Sequence, residues 1–315
     1  MVPQPAPSKV VHRLSSHKGP VHVVAFNSGS SYLLTGGSDR LIKLWNPKNG
    51  SEIKSYSGHG YEVLSIACTP DNTRFASSGG DRNVFLWDVM SGEIVRRFAG
   101  HLGKINAVCW NDSASILASG SFDTTIRLWD AKSSNRIPIQ VLEDSKDSIT
   151  SIAIKDSLII AGSVDGSLRT WDVRMGELRK DLFDQPITSL TLSRSSPSLV
   201  LVSLLSQPSS HPSISAQPAA LHLFDLALGQ SLNTYTGHSN SNYRIQSCFS
   251  GQAEECVYAG DENGTITSWD VESGKQVGKP VKHGDRSVLG VAMHPKERTM
   301  VTCGQDGIVK IWGDS

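Results

Sequence analysis

His59, Ser77 and Asp81 are the residue types of a hydrolase triad: a hydroxyl nucleophile, an imidazole base and a carboxylate to orient it. The same trio recurs as His17, Thr35 and Asp39, and again as His101, Ser119 and Asp123, always 18 and 22 residues after the histidine. An enzyme needs one nucleophile with its base and oxyanion donors. A trio repeated at equal spacing, each time ahead of a tryptophan (Trp45, Trp87, Trp129), points instead to architecture, so no catalytic residue is assigned. Metal and cofactor chemistry have no better footing. Most of the ten histidines sit singly, without an HxH or HExxH pair, and neither GxxxxGK[ST] nor a strand-borne GxGxxG occurs, so no metal and no cofactor is expected. Cys68, Cys109, Cys248, Cys256 and Cys303 are odd in number and form no CxxC pair, which reads as reduced, mostly buried thiols.

The elements that must position these residues are visible in the period of the chain. An aromatic residue closes an alternating apolar segment at Trp45, Trp87, Trp129, Trp171, Phe224, Trp269 and Trp312, at intervals of 42, 42, 42, 53, 45 and 43. Four-stranded propeller blades repeat every ~40 to 45 residues. The one long interval holds Leu205 to Ala220, whose Ser/Pro-rich run SQPSSHPSISAQPAA reads as a flexible loop inside the fifth repeat. Six residues before the closing aromatic stand Asp39, Asp81, Asp123, Asp165, Asn263 and Asp306, in segments such as SGGDRNVFLW that read as strand, tight turn, strand. Four residues earlier come Thr35, Ser77, Ser119 and Thr302, with Ala161 and Ala259 in two other repeats; His238 and His283 stand roughly where His17, His59 and His101 stand in theirs.

With its SGHG, AGH and TGH openings and its LWN, LWD, TWD, LFD, SWD and IWG closings, essentially the whole chain resembles the WD40 family. The resemblance implies an all-β fold, a seven-bladed WD40 β-propeller. It also implies that His, Ser/Thr, Asp and Trp of one repeat form a buried hydrogen-bonded quartet that ties the turn between the second and third strands to the loop leading into the first. Buried carboxylate and imidazole are costly unless paired, which fits that role. Complete quartets would be His17, Thr35, Asp39 and Trp45; His59, Ser77, Asp81 and Trp87; His101, Ser119, Asp123 and Trp129; and, shifted by one residue, His283, Thr302, Asp306 and Trp312. Repeats four to six are degraded, with Glu143 and Ala161 in the fourth, Phe224 and the insertion in the fifth, and Asn263 and Ala259 in the sixth. Drift and an opening for a partner explain that equally well.

No single repeat can bury its apolar strands alone, so neighbours must share faces and the circle must close. The last repeat stops after its third strand at Ile311 and Trp312, and Lys9 to Leu14 is the expected fourth strand. The expected organisation is an N-terminal tail over residues 1–8 and one propeller over residues 9–315, with the insertion at about 205–220.

Thirty Lys plus Arg against thirty Asp plus Glu give no basic field for nucleic acid or anionic lipid. No run approaches the ~20 apolar residues of a membrane helix. Residues 1–9 are proline-rich and contain no targeting pattern, so cytoplasm and nucleus are the expected locations. What remains is docking by loops on a rigid ring, without nucleic acid or membrane, as a monomeric ring within larger complexes. The candidate protein-binding rim is Arg40, Tyr61, Glu62, Arg82, Lys104, Phe122, Tyr243, Arg244, Asp261, Asp285 and Arg286, rich in the aromatic and Arg side chains that dominate interfaces. Residues 56–64, 79–101 and 161–178 are similar to the WD-repeat scaffolds that organise mitogen-activated protein kinase cascades and associate with the spliceosome. That likeness implies kinase-cascade components or splicing factors as partners. A different function is suggested by Trp171-Asp172-Val173-Arg174, which is similar to the WDxR motif of cullin-ligase substrate receptors and makes Asp172 and Arg174 candidate ligase-adaptor contacts. The alternative is that both residues merely finish a strand and begin a turn. Thr69-Pro70 and Ser196-Pro197 are minimal proline-directed phosphorylation sites, also explicable as turn punctuation.

Overall fold

The computed structural model describes residues 4–133, 135–208, 216–251 and 253–314. It contains seven four-stranded antiparallel sheets. The first strand of each sheet packs beside the first strands of its two neighbours, and the circle closes between Val288–Met293 and Val21–Phe26. Six blades are simple meanders. The seventh runs Val288–Met293, Met300–Gly304, Val309–Gly313 and then Lys9–Leu14, so the N-terminal strand supplies its outer edge. The seven-bladed, N-terminally closed WD40 ring expected from the sequence is the fold observed.

The closing strand pairs Lys9 with Gly313 and Leu14 with Val309, with a bulge between Val10 and His12. Leu14 is buried in one cluster with Val21, Val309 and Ile311, so the strand is held by side-chain burial as well as by its ladder. Residues 4–6, expected as part of a tail, are docked. Ala6 is buried among Tyr258, Ile266, Val281 and Trp312, and Arg298 donates to the Pro5 carbonyl at 2.7 Å. The outer strand of blade six is only Val281–Lys282, and the incoming chain covers apolar surface which that short strand leaves bare.

Blades stack closely because their second strands carry small residues where the next blade presses in. A Cβ on Gly36, Gly120, Gly162 or Gly260 would come within 2.5–2.7 Å of Val63, Ile149, Ile187 or Val288 of the following innermost strand. Turns between second and third strands need a left-handed residue. Blades four, six and seven use Gly166, Gly264 and Gly307, whereas blades one, two and three hold Arg40, Arg82 and Thr124 there at φ 67°, 60° and 69°. In blade five this turn is the insertion, whose base is closed by a two-way backbone pair between Gln207 and Gln217. Residues 209–215 of the insertion lie outside the described residues.

Candidate functional site

In blade two, Trp87 Nε1 donates to Ser77 Oγ at 2.8 Å, Ser77 Oγ lies 2.7 Å from His59 Nε2, and His59 Nδ1 lies 2.5 Å from Asp81. The carboxylate at Nδ1 places the imidazole proton there, so the Ser77 hydroxyl donates to Nε2. That is the orientation of a catalytic triad, yet two facts disable it. Ser77 is fully buried, and its oxygen already accepts the indole N–H, leaving no approach for a substrate. Blades one and three bring together His17, Thr35, Asp39 and Trp45, and His101, Ser119, Asp123 and Trp129, in the same way. Each aspartate also accepts the backbone N–H just after its histidine, at Lys18, Gly60 and Leu102. The quartet thereby pins the loop leading into the blade to the tight turn.

Burial holds the His17 and His59 imidazoles below their ordinary pKa despite the neighbouring carboxylates. Burial therefore favours the neutral form of these two imidazoles. For Asp123, burial alone would raise the carboxyl, but hydrogen bonds from His101, Thr125 and the Leu102 amide outweigh it and hold it well below the usual range. Blade seven assembles differently. The extra residue between His283 and Thr302 turns the ring over, so that Nδ1 faces Thr302 Oγ1 at 2.7 Å and Nε2 stands 3.5 Å from Asp306. Trp312 still donates to Thr302, at 2.7 Å.

Blades four to six are rewired. In blade four the indole of Trp171 donates to Asp144 at 3.1 Å, so Asp144 and not Glu143 takes the loop position. Asp165 accepts both ends of the buried Arg169 guanidinium, at 2.7 and 3.2 Å. In blade five Gln185 spans the gap, donating to the carbonyls of Leu205 and Pro218. In blade six Glu262, not Asn263, accepts the loop amides of Ser241 and Asn242. His238 is buried edge-on to Trp269, and desolvation pushes it down to about 4.

Two residues assigned to the rim are not on it. Asp261 is buried, and its two oxygens are satisfied there by the Thr265 amide and hydroxyl. Arg244 extends across the axial channel to the carbonyls of Asn106 in blade three and Leu64 in blade two, and desolvation there pushes it down to about 10. It lines a polar cavity of about 700 Å³ walled largely by innermost strands. Tyr243 and Glu62 are half-buried, while Arg40, Tyr61, Arg82, Lys104, Phe122, Asp285 and Arg286 are exposed. Leu102, overlooked in the sequence, is 79% exposed on the loop that carries Lys104; its place directly after a quartet histidine was the available signal.

On the opposite face, Asp172 accepts the amides of Arg174 and Met175. Asp88, Asp130, Asp225 and Asp270 do the same in their blades, so Asp172 is a turn cap. Arg174 is exposed. The Thr69 hydroxyl is buried and bonded to Asp71 and the Arg74 carbonyl, which makes Thr69-Pro70 a turn and no accessible phosphorylation site; Ser196 is half-buried. All five cysteines are free thiols, and burial pushes Cys68 and Cys248 up to about 12. Among the described residues no group of three or more His, Cys, Asp or Glu is placed to hold a metal ion.

Seven four-stranded blades, a borrowed closing strand and triad-like quartets buried against tryptophans define a WD40 β-propeller, a class built for protein–protein interaction. The comparisons with known proteins agree over nearly the full chain. The protein belongs to the WD-repeat β-propeller family, its residues 20–313 matching the family model described as the IFT122 first beta-propeller. It is 45% identical over 311 residues to human WD repeat domain-containing protein 83, covering 98% of this chain and 93% of that protein. The Danio rerio protein of the same name is 47% identical over 308 residues, 98% and 92% of the two chains. An uncharacterised WD repeat-containing protein of Schizosaccharomyces pombe is 42% identical over 281 residues, 89% and 90%.

Proposed function

We propose that the protein is a non-catalytic scaffold that assembles protein complexes through the rim carrying the quartets. The observation that carries this reading is the pair Arg40 and Arg82. Both sit in the left-handed turn position, where a non-glycine residue costs ~1–2 kcal/mol. Neither side chain makes a hydrogen bond or ion pair among the described residues, so the ring itself gains nothing visible from them. The loops and turns of the same rim also carry exposed Tyr61, Leu102 and Phe122, with the Lys104 ammonium 5.8 Å over the Phe122 ring. Such aromatic and cationic side chains are the usual anchors of an interface.

The similarity of residues 56–64, 79–101 and 161–178 to the mitogen-activated protein kinase organizer supports kinase-cascade components or splicing factors as the partners, met in cytoplasm and nucleus. Arg40→Gly with Arg82→Gly tests the rim. Relief of the turn strain is offset by ~0.4–1 kcal/mol of added unfolded-state freedom per site. Stability should therefore stay within about 1 kcal/mol of wild type or rise, while the kinases or splicing factors recovered by mild affinity purification fall away. Undiminished companions would remove these arginines from the interface. Finding neither kinases nor splicing factors with the wild-type ring would overturn the partner assignment.

A second reading, the substrate receptor of a cullin ligase, has one observation in its favour. The Arg174 guanidinium is exposed and forms no ion pair among the described residues. Loss of ligase adaptor from pull-downs on Arg174→Ala supports the receptor, and absence of adaptor from wild type as well as variant removes it.

A further inference from the structure

In each blade one inner-strand residue lies in register, through the second strand, with the closing aromatic. Six blades fill this position with a large side chain: Phe26, Trp110, Ile154, Leu192, Phe249 and Met293. Trp110 reaches back to the preceding blade and donates to the Ala67 carbonyl at 3.0 Å. Blade two alone has a small residue there, Cys68, in register with Phe75 and Trp87. The space so left is a groove of about 560 Å³ between blades one and two, within the ~300–1,000 Å³ of ordinary ligand pockets.

Leu34, Leu44 and Cys68 contribute to its lining, together with Ile53 and Met90, which are 49% and 92% exposed. An exposed apolar cluster of this kind marks a binding surface more often than a lone exposed side chain does. The charged side chains of its lining are both cationic, and the carboxylate of Asp88, in register with Arg74, is taken by the Ser91 amide. Lys54 and Arg74 line the groove, and no Asp or Glu does. Lys54 also donates to the Met90 carbonyl at 2.5 Å, which holds one wall in place. The groove sits among the turns joining first to second and third to fourth strands, so it faces away from the quartet rim.

We propose that this groove is a second docking site, taking a partner segment in which an aliphatic or aromatic side chain is flanked by carboxylates. The apolar side chain occupies the space beside Cys68, and the carboxylates meet Lys54 and Arg74. The proposal builds on the scaffold reading by giving the ring two recognition faces, so that one partner on the rim and another beneath blades one and two are held by a single molecule.

The test is a random-peptide display library selected on the full chain and counter-selected on Cys68→Phe. That variant installs what other blades carry at the same position and fills the groove. Enriched peptides should share an apolar residue between Asp or Glu residues. Their affinity should fall about tenfold or more, at least ~1.4 kcal/mol, in Cys68→Phe and in Lys54→Glu with Arg74→Glu, and stay unchanged in Arg40→Gly with Arg82→Gly. Should Cys68→Phe fail to fold, the charge-reversed variant serves as the counter-selection. Peptides lacking carboxylates, peptides that bind the charge-reversed ring equally well, or no enrichment over the counter-selection would each overturn the proposal. The rim variants report on the scaffold reading separately, because they leave the groove intact.

Discussion

Deleting residues 1–14 is expected to lower the stability of the ring by about 5 kcal/mol, an exceptional loss for a change remote from most of the core. Among the described residues the strand Lys9–Leu14 is the only outer partner of Val309–Gly313. Without it Leu14 and Ala6 leave two separate apolar clusters, at ~2 kcal/mol for a buried leucine and less for the alanine. The bonds from His12 to the Lys48 carbonyl and from Arg298 to Pro5 are lost as well. Ring closure adds a cost no linear count includes, because blade seven would present an unpaired edge to solvent. The measurement is a thermal or urea melt of the truncated protein against the full chain, with Leu14→Asp as a point variant. Addition of a synthetic peptide spanning residues 1–14 should restore much of the midpoint. An unchanged melt would show that the seventh blade stands without its clasp.

That clasp was legible in the sequence because a repeat ending after three strands demands a fourth, and a strand of the right pattern stood free at the other end of the chain. The seven-blade count was legible for a related reason: shared apolar faces make every blade obey one period, so the closing aromatics recur even where the polar residues have changed. The polar sites divide more sharply. In blades one to three, histidine, hydroxyl and aspartate sit at invariant offsets, and the backbone brings them together without further information. In blades four to six the same loop is pinned by Asp144 with Trp171, by Gln185, and by Glu262, each at a spacing of its own. A search by offset finds only the missing partner, so these blades read as degraded when they are differently bonded.

Arg244 shows a further limit. It has the sequence context of a surface loop, but its guanidinium is bonded to carbonyls 138 and 180 residues away, and that reach depends on the diameter of the closed ring. Cys68 shows the converse. Its significance lies in being smaller than its six counterparts, which becomes meaningful only once strand register aligns the blades.

Acidification should weaken the ring in two stages, and the first belongs to histidine. His238 is held at about 4 against an ordinary 6.5, with desolvation by burial as the main cause and the charge of Asp261 acting weakly against it. The folded pKa is depressed, so the unfolded chain takes up a proton first as pH falls. Stability is at its plateau above 6.5, declines steadily from there to about 4, and then levels for this residue. The shift corresponds to roughly 3 kcal/mol. His17 and His59 have the same sign and add to the slope. Asp123 and Asp165 are depressed carboxylates, whose contribution is present above their ordinary pKa and is lost only at more acidic pH, where the second stage begins. Urea midpoints measured from neutral pH down to about 4 should therefore fall, with a slope approaching one proton shallower in His238→Asn than in wild type. Equal slopes in the two proteins would show that His238 takes up its proton at the same pH in the folded ring as in the unfolded chain, so that burial beside Trp269 does not hold its pKa down.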